Sequence, residues 1–219
     1  MAKLPADSLP EIDNCVLSEL QAMAPSGGDK TRSRINTEAM LAGRFATKSI
    51  YPQMSELYQQ YGSKWPGQAR AGMLAYLARH DTQGGLKLLQ TDIPLGSSAF
   101  NTPPLSALCR SYYSPAVDLF FRGALQREEP RIAGDAAYEM SLYGPAEDEP
   151  LLRARLAKWQ KEWAAREAPS NEYMLQAELI HGLIAAKNWH EDEATTEMLK
   201  SQCMSDICRT HYNLGGNTK

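Results

Sequence analysis

The sequence predicts an all-α protein folded as a right-handed α-solenoid, an α-α superhelix of stacked helical hairpins. Three observations lead there. Apolar residues recur at three- and four-residue spacings along most of the chain, while period-two alternation is scarce. Short breaks carrying glycine, proline or acidic residues separate those stretches. The pattern also recurs: a shift of 63 positions lays Met54 and Leu57 on Val117 and Phe120, Met73 and Leu77 on Ala136 and Met140, and Leu88-Leu89 on Leu151-Leu152. Such a period fits two or three helices per repeat, each burying the apolar face of its neighbour.

Ile12, Val16 and Leu20, with Cys15 and Met23 beside them, predict a helix over 8–24. PSGGDKTRSRIN (25–36) is polar and reads as a loop. Its GGDKT lacks the GxxxxGK[ST] spacing that cradles a phosphate. The expected organisation is an N-terminal helix and linker at 1–36, a repeat array at 37–212 and a frayed tail at 213–219. In the array, Met40, Leu41 and Phe45 mark a short helix, and Met54, Leu57, Tyr58 and Tyr61 the next. Pro66 suits the start of a third, along which Ala69, Met73 and Leu77 fall at intervals of four. Asp81 is placed to cap DTQGGLKLLQ, a helix that Gly84 and Gly85 weaken. IPLGSSAFNTPP (93–104) is an irregular insertion.

PPLSALCRSYY and SPAVDLFFRGAL then form a pair, followed by EEPRIAGDAAYEMSLYG with Ile132, Ala136, Met140 and Tyr143 on one face. In YGPAEDEPLLR, Gly144 is expected to end that helix in the left-handed conformation. Glu147, Asp148 and Glu149 complement the positive end of the next helix. That helix carries a stripe of Leu152, Leu156, Trp159 and Trp163, and Leu175, Leu179 and Leu183 mark another.

The 219 residues are 43% hydrophobic and 22% charged, with a net charge of −3, as in an ordinary globular protein. That balance argues against a nucleic-acid footprint, and no apolar run is long enough to span a bilayer. The N-terminus lacks a basic region followed by an apolar core, so no signal peptide and a cytoplasmic location are expected; an export signal would have to precede Met1.

Several stretches resemble a known family. EEPRIAGDAAYEMSLYG is similar to the second helix of a HEAT-like repeat, with small alanines letting a neighbour approach and larger residues filling the grooves. KWPGQARAGMLAYLARHD, DAAYEMSLYGPAEDEPLLRARLAKWQKEW and the terminal CMSDIC together resemble a group of bacterial HEAT-repeat domain proteins over most of 51–208. Trp65 fits that pattern, whereas Pro66 stands where the family implies a cysteine, at a corner from which a cross-link would run to Cys109. The resemblance implies a fold far more than a function. It points first to a non-catalytic scaffold binding another protein. A bilin-lyase-like or other cofactor-handling role, with Cys109 or a histidine in a pocket, is the alternative, and a fragment of a longer array is a third.

No catalytic, cofactor-binding or metal-binding set is expected. His80 beside Asp81 suits a helix end better than a base pair, and His181, three residues after Glu178, suits a surface contact. WHEDEA has Ala194 where a zinc protease needs its second histidine. Cys203, Cys208 and His211 form C-x4-C-x2-H, which leaves three readings open: thiols, a Cys203–Cys208 disulfide if the helix breaks there, or a metal site short of a fourth ligand. Arg153, Arg155, Lys158, Lys161 and Arg166 read as a solvated face. Tyr112, Tyr113, Phe120 and Phe121 are dense enough to be the candidate partner-binding surface, one of each adjacent pair packing while the other is accessible.

Overall fold

A computed structural model describes residues 9–25, 31–96, 103–186 and 193–209. Among these the protein is all-helical, with no strand. In chain order the helices are α1 (Leu9–Met23), α2 (Arg32–Phe45), α3 (Tyr51–Tyr61), α4 (Gly67–His80), α5 (Thr82–Asp92), α6 (Leu105–Ser111), α7 (Pro115–Leu125), α8 (Pro130–Tyr143), α9 (Glu149–Trp163), α10 (Ser170–Ala186) and α11 (Glu193–Ser201). Single 3-10 turns lie at Lys48–Ile50, Gly62–Lys64 and Ala146–Asp148. The chain divides into two compact units, Met1–Phe120 and Phe121–Lys219. The 63-residue recurrence reaches the helix boundaries, since α8 begins and ends 63 positions after α4, at 130 against 67 and 143 against 80.

In the first unit α4 packs against α2, α3, α5 and α6. Every residue from Ala71 to Ala78 is buried, so α4 lacks the polar face of a surface helix. Small residues permit this. A Cβ on Gly72 would sit 2.6 Å from the Ala39 carbonyl, and one on Gly43 2.9 Å from both the Gly72 oxygen and Ser111 Cβ. Ala39 and Gly43 follow one another along α2 as Gly72 and Ala75 do along α4, so the two helices run parallel at close range.

Helix α2 starts at Arg32, inside the stretch expected to be linker, because buried Ile35, Ala39 and Ala42 reward the turn despite its polar composition. Its exposed carbonyls meet Arg79, whose guanidinium donates to Gly43 O at 2.9 Å, to Arg44 O at 2.8 Å and to Ala46 O. Buried Asp13 on α1 fixes the next residues, accepting from Thr47 N at 2.7 Å, Thr47 Oγ1 and Ser49 Oγ. Asp81 caps α5 by accepting from Gly84 N at 3.0 Å. Gly85, expected to weaken that helix, enables its packing, since a Cβ there would overlap the Ala78 backbone.

In the second unit α8 packs against α10, and α10 also against α9 and α11. Gly134 lies opposite Leu175 and Glu178, and Gly182 opposite Ala137 and Ser141, so α8 and α10 also run parallel. Trp159 of α9 is fully buried and donates from Nε1 to Glu172 Oε2 at 3.0 Å.

The acidic corner before α9 is structural. Asp148 is buried and ion-paired with Arg122 at 2.7 Å. Gly144 has φ −70° and ψ 160°, not the expected left-handed conformation. The close packing of the corner accounts for glycine here, because a Cβ would stand 2.5 Å from Met140 O and 3.0 Å from the Asp148 carboxylate. Beyond α11 the chain breaks at Gln202–Ser205 and makes a last helical turn at 206–209. Buried Gln176 of α10 holds the break, donating to Gln202 O at 2.9 Å and accepting from Met204 N at 3.1 Å. Ser205 Oγ accepts from Cys208 N at 3.2 Å, and Cys203 and Cys208, their Cα atoms 5.4 Å apart, are joined by a disulfide.

Candidate functional site

A dense polar cluster surrounds His80. Its Nε2 lies 3.1 Å from Ala46 O and 3.0 Å from the Arg79 guanidinium, with the ring edge-on to Tyr76. Burial holds the imidazole below its ordinary pKa, against an opposing hydrogen bond to the Ala46 carbonyl. The Asp81 carboxylate turns instead to Gly84 N and, at 3.4 Å, to the Tyr51 hydroxyl. The two side chains serve different neighbours, and Arg79 and Tyr76 are engaged with carbonyls of 43–47. The cluster closes the end of α2 and supplies no nucleophile–base pair.

Cys109 is a buried thiol outside any disulfide. An open cleft of about 360 Å³ between α1 and α3 is lined by Gln21, Gln53, Glu56, Gln60 and Tyr61 around Leu57, with one titratable carboxyl and no nucleophile. Among the described residues no group of three or more His, Cys, Asp or Glu side chains could hold a metal ion. Gly27 to Lys30 of GGDKT, His190 of WHEDEA, His211 and the tail lie outside the described residues.

Of the aromatic surface expected at Tyr112, Tyr113, Phe120 and Phe121, the tyrosine pair has one accessible member, and the phenylalanine pair has none. Phe120 and Phe121 are 4% and 0% exposed. Helix α7 buries Ala116, Val117, Ala124 and Leu125 with them, in two adjacent columns at four-residue spacing that cover about half of its circumference, wide enough to take in both members of the pair. Tyr113 is half-buried, its hydroxyl 3.3 Å from Asp118 Oδ1. Tyr112 is exposed, but its ring lies under the Arg79 guanidinium at 4.9 Å. The basic stretch is divided among partners. Arg153 pairs with Glu149, Lys158 with Glu128 and Arg166 with Glu162, while buried Arg155 donates to Leu125 O.

The face shared by α8 and α10 presents a different set. On α8, the residues buried between Ile132 and Met140 leave a stripe of Arg131, Asp135, Tyr138 and Leu142 outside, at the three- and four-residue spacing of one helix face. On α10, Met174, Glu178 and His181 fall on the outer side by the same spacing. Tyr138, Leu142 and Met174 are 39%, 48% and 43% exposed. The stripes adjoin: the Tyr138 and His181 ring centroids are 6.1 Å apart, and Glu178 lies across from Gly134.

Burial, with the Asp135 carboxylate nearby, pushes the Glu178 carboxyl up to about 7. Burial also raises Asp135, opposed by Arg131. The face thus combines exposed apolar side chains with two carboxyls whose charged forms burial disfavours. A native state that holds the Glu178 proton more tightly than the unfolded chain is favoured below the ordinary Glu value, and this advantage fades as pH rises through about 7. Glu178→Gln is therefore expected to flatten the fall in stability between pH 5 and pH 8 by roughly 1–2 kcal/mol after solvent screening. Unfolding curves of both proteins at the two pH values check this.

Sequence reasoning assigned the apolar members of this face to no surface. A signal was present: Asp135, Tyr138 and Leu142 lie 63 positions after Gly72, Ala75 and Arg79, so the repeat exchanges two small residues for larger ones.

Comparison with family models, with curated proteins and with solved structures finds no match to the chain. Among the described residues no helix is long and apolar enough to cross a membrane.

Proposed function

We propose that the chain is a non-catalytic helical-repeat protein, a right-handed α-solenoid of HEAT-like hairpins, which binds another protein through the α8/α10 face. The observation that carries the reading is the exposure of Tyr138, Leu142 and Met174 along the outer sides of two neighbouring parallel helices that also carry Asp135 and Glu178. Three exposed large apolar side chains on adjoining stripes are the composition of a recognition surface. The parallel pairs α2/α4 and α8/α10 and the 63-residue recurrence support the repeat architecture.

A photo-crosslinking amino acid at Leu142 tests the binding role. It is expected to capture a discrete partner that the same group at Lys87, on α5 of the first unit, does not capture. Leu142→Arg in a chain carrying the crosslinker at Met174 is expected to abolish capture. Identical products at 142 and 87 overturn the reading.

A further inference from the structure

We infer that the Cys203–Cys208 disulfide is a redox-operated clasp: a dithiol reductant that opens it frees the last turn, 206–209, from the rest of the second unit while the helices of that unit stay folded. The inference is independent of the binding role proposed for the α8/α10 face.

The segment after α11 is held in two different ways. Residues 202–204 are anchored by side chains of the helices. Gln176 of α10, fully buried, donates to Gln202 O and accepts from Met204 N, and Gln160 of α9 donates to Gln202 Oε1 at 2.9 Å. Gln176 lies about 200° round α10 from both Met174 and Glu178, so this anchor and the exposed face are on different sides of the helix. Among the described residues, 205–209 have no such anchor. Their hydrogen bonds stay inside the segment: Cys208 N and Arg209 N donate to Ser205, Arg209 pairs with Asp206, and Arg209 Nη1 donates to Cys203 O at 3.2 Å. From Met204 to Arg209 one residue is buried, Cys208, while Met204 and Ile207 are 46% and 38% exposed.

A single turn is not stable by itself, because it fixes several backbone angles for one hydrogen bond. What seats this one is the covalent bond from its one buried side chain to Cys203, next to the Gln176 anchor. The two cysteines are 5 positions apart, so the bond closes a short loop, restrains little of the unfolded chain and acts mainly on the turn. Reduction proceeds by exchange. A thiolate of the reductant attacks the sulfur of Cys203, which is 6% exposed against 0% for Cys208; the S–S bond breaks, and Cys208 leaves as a thiolate that takes up a proton. The second thiol of the reductant then displaces Cys203 from the mixed disulfide. The protein gains two thiols, the reductant ends as a disulfide, and the last fixed point of the segment moves from Cys208 back to Met204.

Amide hydrogen exchange, read by nuclear magnetic resonance on the full chain with and without dithiothreitol, tests the clasp. Reduction is expected to speed exchange at Cys208 and Arg209 at least about tenfold. At Cys203, whose amide donates to Lys200 O, and at Met204, held by Gln176, the change is expected to stay below about threefold. Cys203→Ser with Cys208→Ser is expected to give the fast rates with or without reductant. Maleimide labelling after denaturation establishes that the bond has opened, since Cys203 and Cys208 then label along with Cys15 and Cys109.

Unchanged exchange at Cys208 and Arg209 once Cys203 and Cys208 label overturns the clasp. Loss of protection along α10 and α11 together would make the bond a staple of the whole unit and also overturn it. A bond that dithiothreitol opens only in denaturant is closed to reductants in the folded protein, and that result overturns the inference as well.

Discussion

Gly72→Val is expected to destabilise the protein by about 3 kcal/mol or more, lowering its melting temperature by roughly 10 °C. The new Cβ would meet Ala39 carbonyl atoms at 2.6 Å and Met40 N at 2.8 Å, all of them backbone, so no side-chain rotation relieves the contact. Helices α2 and α4 must separate, which strips contacts from Ala39, Ala42, Gly43 and Ala75 together. Gly134→Ala on α8 is the matched control. Its Cβ would find Glu178 Cγ at 3.7 Å and Leu175 Cα at 3.8 Å, ordinary contact distances, so improved helix propensity prevails and a gain of about 0.5–1 kcal/mol is expected. Denaturant unfolding of both variants distinguishes a specific close approach from a general intolerance of larger residues in these helices.

Arg79→Ala is expected to cost about 3 kcal/mol, for a different reason. One guanidinium serves the carbonyls of Gly43, Arg44 and Ala46 at the end of α2, where the helix has no further turn to satisfy them. Removing it strands several acceptors in a half-buried setting and uncovers the Tyr112 ring beneath it. Arg79→Met keeps the aliphatic stem and loses the fork, and is expected to recover less than half of the loss. Arg79→Lys supplies donors from a single point and is expected to fall between. Recovery of most of the stability by methionine would show that packing of the stem dominates. Hydrogen exchange at residues 44–48 reads the local consequence directly, with faster exchange expected in the alanine variant.

Much of the architecture was legible in the sequence because helical period is a strong local signal. The α4 and α8 stretches, their equal spacing and the Asp81 cap all follow from residue order alone. The departures have physical causes that a one-dimensional pattern does not carry. Ile35 draws a polar segment into α2 because Ala39 and Gly43 find a partner on α4, 33 or so residues away. Gly84 and Gly85 look like helix weakeners until α4 is seen pressed against the second of them. Gly144 was assigned a backbone role that its φ does not support; the neighbouring Met140 carbonyl and Asp148 carboxylate are what exclude a side chain.

The candidate surface was less legible. Local aromatic density drew attention to Phe120 and Phe121, yet residues about 100° apart both fit within the half-circumference that α7 buries. Tyr138, Leu142 and Met174 lie on amphipathic helices where each apolar residue is most simply read as core. Only the comparison between repeats distinguishes them, because it shows which register positions a neighbouring helix covers.

Helix α4 also sets how freely the sequence can vary. With eight consecutive residues enclosed, Ala71 to Ala78 have almost no neutral alternatives: larger residues collide with α2 or α5, and smaller ones leave voids. Tolerance along this helix is confined to its start, at exposed Gln68. The corresponding stretch of α8 has outward positions at 135, 138 and 142 that can change without disturbing the interior. Of two stretches 63 positions apart, one is thereby closed to substitution on every side, and the other can vary along its outward face.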